Sequence, residues 1–147
     1  MRWILTHTTN ELRYWKMDQG EQPAELKYNS KAQSFRLTAV DKRLFFIERT
    51  GFLQSKYLIR TEYSQLAGEM QPGKDIDAGI ILVDGKKFRY SLNDSLLEFA
   101  SKQKEFDLKI EADNINKIGA AELCALSFST LRVIIQGITQ APKLELA

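Results

Sequence analysis

Asn116-Lys117-Ile118-Gly119-Ala120-Ala121-Glu122-Leu123-Cys124-Ala125-Leu126-Ser127-Phe128-Ser129-Thr130-Leu131-Arg132-Val133-Ile134-Ile135-Gln136 is apolar around almost its whole circumference when wound as a helix. Ile118, Ala121, Cys124, Ala125, Phe128, Leu131 and Ile135 form one stripe, which Leu123, Leu126, Val133 and Ile134 widen. A helix that is apolar on most sides must be buried on most sides. The spacing predicts a helix over 116–136, with Gly137 just past its end and Pro142 beyond. The β-branched run Val133-Ile134-Ile135 also suits a strand, which keeps that alternative open. Glu122 and Arg132 interrupt the segment, and a membrane span wants about 20 mostly apolar residues. The expected surroundings are therefore protein.

The chain before this segment alternates. Phe106, Leu108, Ile110 and Ala112 are interleaved with Asp107, Lys109, Glu111 and Asp113. Phe88, Tyr90 and Leu92, then Ala24, Leu26 and Tyr28, then Phe35, Leu37 and Ala39, repeat the pattern. Period two with one dry and one wet face reads as antiparallel strands. Asp84-Gly85 suits the positive φ angles of a type I′ turn and predicts a hairpin. Asp41-Lys42, Thr50-Gly51, Gly20 to Pro23 and Pro72-Gly73 mark further turns or loops. Ser95-Leu96-Leu97-Glu98 matches a capping box, and Leu96, Phe99 and Ala100 follow at helical spacing, so a short helix is expected there.

Roughly ten short strands must hide their edges, and closure into a barrel does so. A barrel that wide is not filled by strand side chains alone. The expected fold is thus an antiparallel β-barrel of about ten to twelve short strands, a single domain over 1–147, enclosing segment 116–136. A pleckstrin-homology-like barrel is the alternative, but its helix is amphipathic and caps one end. A sandwich with 128–135 as a strand is third.

The order of elements resembles the tubby-like group, which includes the LURP-one-related proteins and the phospholipid scramblases. The matching stretches are Leu44-Phe45-Phe46-Ile47-Glu48-Arg49, Tyr57-Leu58-Ile59-Arg60, Ala67-Gly68-Glu69-Met70 and the final apolar helix. The resemblance implies about twelve strands around a central helix, no enzymatic site, and binding to phosphoinositides.

Composition narrows the chemistry. With 44% hydrophobic and 27% charged residues in 147, the chain has enough apolar surface to fold globally. A net charge of +2 is too small to announce a nucleic-acid partner, and none is expected. Cys124 is the only cysteine, so no internal disulfide can form; its apolar neighbours predict an inert, buried thiol. A chain free of disulfides fits a reducing, cytoplasmic setting, and Met1-Arg2-Trp3-Ile4-Leu5-Thr6-His7 carries no secretory pattern. His7, the only histidine, is expected to face solvent; one histidine and one cysteine are too few for a zinc site. Asp75 and Asp77 form a D-x-D pair that reads as a polar loop. Neither G-x-G-x-x-G nor a P-loop is present. Trp3, Tyr14 and Trp15 are expected as core or cross-strand residues. No enzyme activity and no cofactor are expected; an unrecognised carboxylate site is the remaining enzymatic alternative.

The basic residues at the turns are the candidate site. Lys42 and Arg43, with Lys86, Lys87 and Arg89, flank predicted turns, and Arg49, Lys56 and Arg60 lie between them in sequence. If those turns share one rim, they form a cationic patch for anionic headgroups at a membrane periphery. The structural alternative is solvated strand ends, where lysine blocks edge pairing. A scaffold for a protein partner, of undefined oligomeric state, is the competing function.

Overall fold

A computed structural model describes residues 2–18, 24–39, 42–101 and 107–146; the side chains of 54, 116 and 137–146 lie outside the description. The expected turns at Gly20 to Pro23 and at Asp41, and the residue Phe106, also lie outside it.

Among the described residues, eleven strands close into a barrel around one helix. They are β1 (Arg2–Thr8), β2 (Leu12–Asp18), β3 (Glu25–Asn29), β4 (Ser34–Thr38), β5 (Lys42–Thr50), β6 (Lys56–Thr61), β7 (Leu66–Pro72), β8 (Ala78–Val83), β9 (Lys86–Asn93), β10 (Leu96–Ser101) and β11 (Asp107–Ala112), followed by α1 (Ala120–Leu146). Each strand pairs antiparallel with the one before it. An odd number of up-and-down strands leaves the first and last pointing the same way, so the closing pair must be parallel. It is: β1 meets β11 through Arg2↔Glu111 and Trp3↔Ala112. The expectation of an antiparallel barrel therefore holds for ten of eleven pairs and fails at the seam. Arg2 Nη2 donates to Asp113 Oδ1 at 2.6 Å just beyond the seam, while the Leu5 amide donates to Asp113 Oδ2 at 3.2 Å. The Arg2 guanidinium holds the Asp113 carboxyl below the usual carboxylate range.

Two sequence expectations are corrected. The helix expected from Ser95 is a strand, β10. Asp94 takes a left-handed φ of 56°, so Asp94-Ser95 is a two-residue turn with Asn93 paired to Leu96. Leu97 and Phe99 then point inward at period two. The long helix begins at Ala120, after a 3-10 turn over Ile115–Lys117, and continues through Gly137 and Pro142 instead of stopping there. A glycine inside a helix weakens it by about 1 kcal/mol, which lowers helix propensity without ending the helix.

Every strand sends at least one fully buried side chain inward, from Trp3 on β1 to Ile110 on β11. Helix residues Leu123 to Leu131 are all buried among them, so the apolar circumference is enclosed as its sequence requires. Phe128 sits edge-on to Phe35 and Phe45, with centroids 5.9 and 5.0 Å away. Gly68 on β7 makes room for it, because a Cβ there would lie 2.9 Å from the Phe128 ring. Among the described residues, no helix is long and apolar enough to cross a membrane.

Polar groups fix the helix at both ends of its buried stretch. The Glu122 carboxylate accepts from Arg13 Nε at 2.7 Å and from the Trp15 indole at 2.8 Å. One turn above the exit, Arg132 Nη1 donates to Asp84 Oδ1 at 3.0 Å and stacks over Phe45. Between them the Trp3 indole donates to Thr130 Oγ1 at 2.8 Å. The negative Glu122 in the first turn also suits the helix dipole. Arg13 and Trp15 belong to the end where β1 finishes, here the upper end. Asp84 belongs to the lower end, where β1 starts.

Candidate functional site

Alternating strand direction decides which turns share a rim. The β4–β5, β6–β7 and β8–β9 connections all fall at the lower end, so Lys42, Arg43, Lys86 and Lys87 are brought to one end of the barrel. The Asp84-Gly85 hairpin that carries Lys86 has φ of 50° and 81° at its two residues, as a type I′ turn requires. Lys42, Lys86 and Lys87 are exposed, and no described carboxylate forms an ion pair with them. The rim is two clusters rather than one, because four strand spacings, roughly 19 Å of wall, separate β5 from β9.

Other members of the expected patch are placed differently. Arg43 is half-buried and shares the inward register of Phe45 and Ile47. Arg89 stands on the outer wall, cross-strand from Ile80 and Ala100, in a groove of about 510 Å³ that Glu98 and Asp107 also line. There its charge faces carboxylates, of which Glu98 is held by Lys109 at 3.7 Å and accepts from Ser91. Arg49 and Lys56 go to the upper end with the β5–β6 connection, and Arg49 lies over the Tyr57 ring. Arg60 returns to the lower half but is tied to Glu48 at 3.2 Å.

Sequence reading missed the exposed apolar side chains. Between the two basic clusters, the β6–β7 turn presents Tyr63, 74% exposed, and Leu66, 60% exposed. At the upper end Phe52 and Leu53 are 86% and 83% exposed, and Leu53 takes a left-handed φ of 56°. Their signal in the sequence, large apolar residues inside a turn, was available but could not be told from core.

The remaining candidates are quiet. Cys124 is fully buried in α1, and burial pushes its thiol well above the ordinary range, so it is no nucleophile. Asp75 and Asp77 form a local turn in which the Asp77 amide donates to Asp75 Oδ1 at 3.0 Å. Among the described residues, no group of three or more side chains is placed to hold a metal ion.

His7 is exposed, as expected, but not isolated. The register places His7 opposite Tyr14, Tyr14 opposite Lys27, and Lys27 opposite Arg36. These four side chains form one outward row across β1 to β4. Beside it runs a second row, Lys16, Glu25 and Thr38. Together they line a groove of about 330 Å³ on the barrel wall. Like charges directly opposite on a sheet destabilise it by about 0.2–1 kcal/mol, and Lys27 and Arg36 are such a pair. Lys27 lies 5.7 Å from the Tyr14 ring centre, and the His7 ring lies 5.6 Å from it at 54°. Trp15, by contrast, points into the barrel toward Glu122, and Trp3 is core.

No protein-family model, no curated protein and no solved structure matches the chain, so its placement rests on the architecture just described: a closed eleven-stranded barrel filled by its own C-terminal helix.

Proposed function

We propose that the protein is a non-enzymatic binding module whose lower end docks on an anionic phospholipid surface. One observation carries the reading: the β6–β7 turn holds Tyr63 and Leu66 in solvent between the cations of the β4–β5 and β8–β9 turns. Tyrosine favours the membrane–water interface, where its ring and hydroxyl meet different environments. Each cation near an anionic leaflet contributes about 1 kcal/mol, so Lys42, Lys86 and Lys87 together supply roughly 3 kcal/mol. Asp84 beside them is neutralised by Arg132. The resemblance to the tubby-like group, with its phosphoinositide ligands, points the same way.

Vesicle co-sedimentation tests this. Phosphatidylcholine vesicles containing phosphatidylserine or phosphoinositide should retain the protein, and pure phosphatidylcholine should not. Lys86→Glu with Lys87→Glu should abolish retention, and Tyr63→Ala with Leu66→Ala should weaken it. Equal recovery with neutral and anionic vesicles at moderate salt would end the lipid reading.

Phe52 and Leu53 favour a second reading, a scaffold that presents its upper end to a protein partner. Loss of such an interaction in Phe52→Ser and Leu53→Ser, with vesicle binding intact, would distinguish it.

A further inference from the structure

The groove on the β1–β4 wall gathers more cations than carboxylates. Lys16, Lys27 and Arg36 line it together with one carboxylate, Glu25. No described carboxylate forms an ion pair with any of the three cations. Three cations elsewhere on the wall do have carboxylate partners: Arg60 with Glu48, Lys109 with Glu98, Arg2 with Asp113. The unmatched pair, Lys27 and Arg36, is also the pair that the register sets face to face. Next to it in the same row come two rings, Tyr14 and His7.

An anion between Lys27 and Arg36 would turn their repulsion into attraction. Arginine offers a planar fork that matches phosphate oxygens, and lysine adds a point charge. A planar ring carried by the same ligand would lie on Tyr14, where stacking tolerates any base because every base has a π face. Two strand spacings, about 10 Å, separate Tyr14 from Arg36 along the row. The groove volume of about 330 Å³ admits a ligand with one ring system and one phosphate group.

We propose that this wall groove binds a phosphorylated planar-ring compound of the nucleoside monophosphate class, with phosphate on Lys27 and Arg36 and the ring on Tyr14. The site uses a sheet face and side-chain cations, so it needs neither a glycine-rich loop nor a helix N-terminus. Tyr63, Leu66, Lys86 and Lys87 contribute nothing to it, and of the membrane-facing cations only Lys42 comes near, as the cross-strand partner of the groove residue Thr38.

The protein's single histidine supplies the probe. His7 is the only imidazole in the chain, so its ring protons give one pair of signals in a proton NMR spectrum. The full chain is titrated, without vesicles and at low salt, with each of the four common ribonucleoside monophosphates, with the nucleosides, with inorganic phosphate, and with a four-nucleotide single strand. At least one monophosphate should shift the His7 signals and bind at least ten-fold more tightly than inorganic phosphate or its own nucleoside. Lys27→Glu and Arg36→Glu should each weaken it ten-fold or more. Lys27→Glu places opposite charges across from each other, so the sheet itself is not weakened. Tyr14→Ala should weaken the monophosphate at least five-fold and leave inorganic phosphate within two-fold. The proposal is overturned if no monophosphate moves His7, if the charge reversals leave affinity within two-fold, or if only the oligonucleotide binds. Vesicle retention should be unchanged in Lys27→Glu, which separates failure here from failure of the membrane reading.

Discussion

The Trp15 indole nitrogen donates to Oε2 of Glu122 at 2.8 Å, joining the second strand of the wall to the first turns of the enclosed helix. Arg13 Nε shares the same oxygen at 2.7 Å, so a single carboxylate oxygen satisfies two donors. A buried charge pair that loses one partner leaves the other uncompensated, at about 3–5 kcal/mol. Glu122→Leu should therefore lower unfolding stability by about 3 kcal/mol in urea. Glu122→Gln keeps an acceptor and should lose about 1 kcal/mol. Equal losses in the two variants would show that packing, not hydrogen bonding, is what Glu122 supplies.

Gly68 should resist enlargement. A methyl group there meets both the Phe128 ring at 2.9 Å and the Leu82 carbonyl oxygen at 2.8 Å. Overpacking of this kind destabilises by about 1–3 kcal/mol. Gly68→Ala should fall in that range, and Phe128→Leu in the same chain should recover part of it. A double-mutant cycle by chemical denaturation reads the coupling; strictly additive losses would mean that Phe128 is not what Gly68 accommodates.

Asp84 has two tasks, a left-handed turn position and an ion pair with Arg132. Asn tolerates the same φ, so Asp84→Asn should cost only the charge, about 1 kcal/mol. A β-branched residue at φ of 50° is strained as well, and Asp84→Val should lose about 3 kcal/mol. Thermal melts of the two variants check the order.

Alkaline pH should unfold the barrel early. Burial, with the Glu122 charge nearby, raises the Tyr28 phenol from 10.0 to about 12. A group whose folded pKa lies above its unfolded one stabilises fully below the unfolded value and loses that contribution as pH rises. Stability should thus decline between about pH 10 and 12, by up to about 1.4 kcal/mol per pH unit for each such tyrosine. Burial also raises Tyr90, which extends the window upward. Tyr28→Phe should flatten the melting-temperature profile in this range. A profile unchanged by that substitution would show that Tyr28 is not linked to folding.

Period-two alternation made the wall legible in the sequence, because burial of one sheet face leaves its mark on every second residue. Ala24, Leu26 and Tyr28 all point inward, as do Phe88 and Tyr90. The helix was legible because Leu123 to Leu131 lack a polar side wide enough for water. Its end was not: Gly137 signals a stop only when nothing downstream favours continuation. Ser95 misled because serine serves equally at a helix start and in a tight turn, and Asp94 beside it tolerates a left-handed φ. The parallel seam follows from whether the strand count is odd, which no local pattern records. The lower rim was half legible. Lys42, Lys86 and Lys87 could be assigned to turns, but Arg43 and Arg89 needed the register to show which side of the wall they occupy. The groove was illegible for the same reason, since His7, Tyr14, Lys27 and Arg36 become neighbours only through three strand pairings.

Because α1 follows β11 in the chain, the wall is synthesised before the element that fills it. A nascent chain presents greasy strand faces such as those of Trp15, Phe45 and Ile81 while their stopper is still unmade. Such exposure invites aggregation and chaperone capture during synthesis. The seam that closes this wall is short, two register pairs joining β1 to β11.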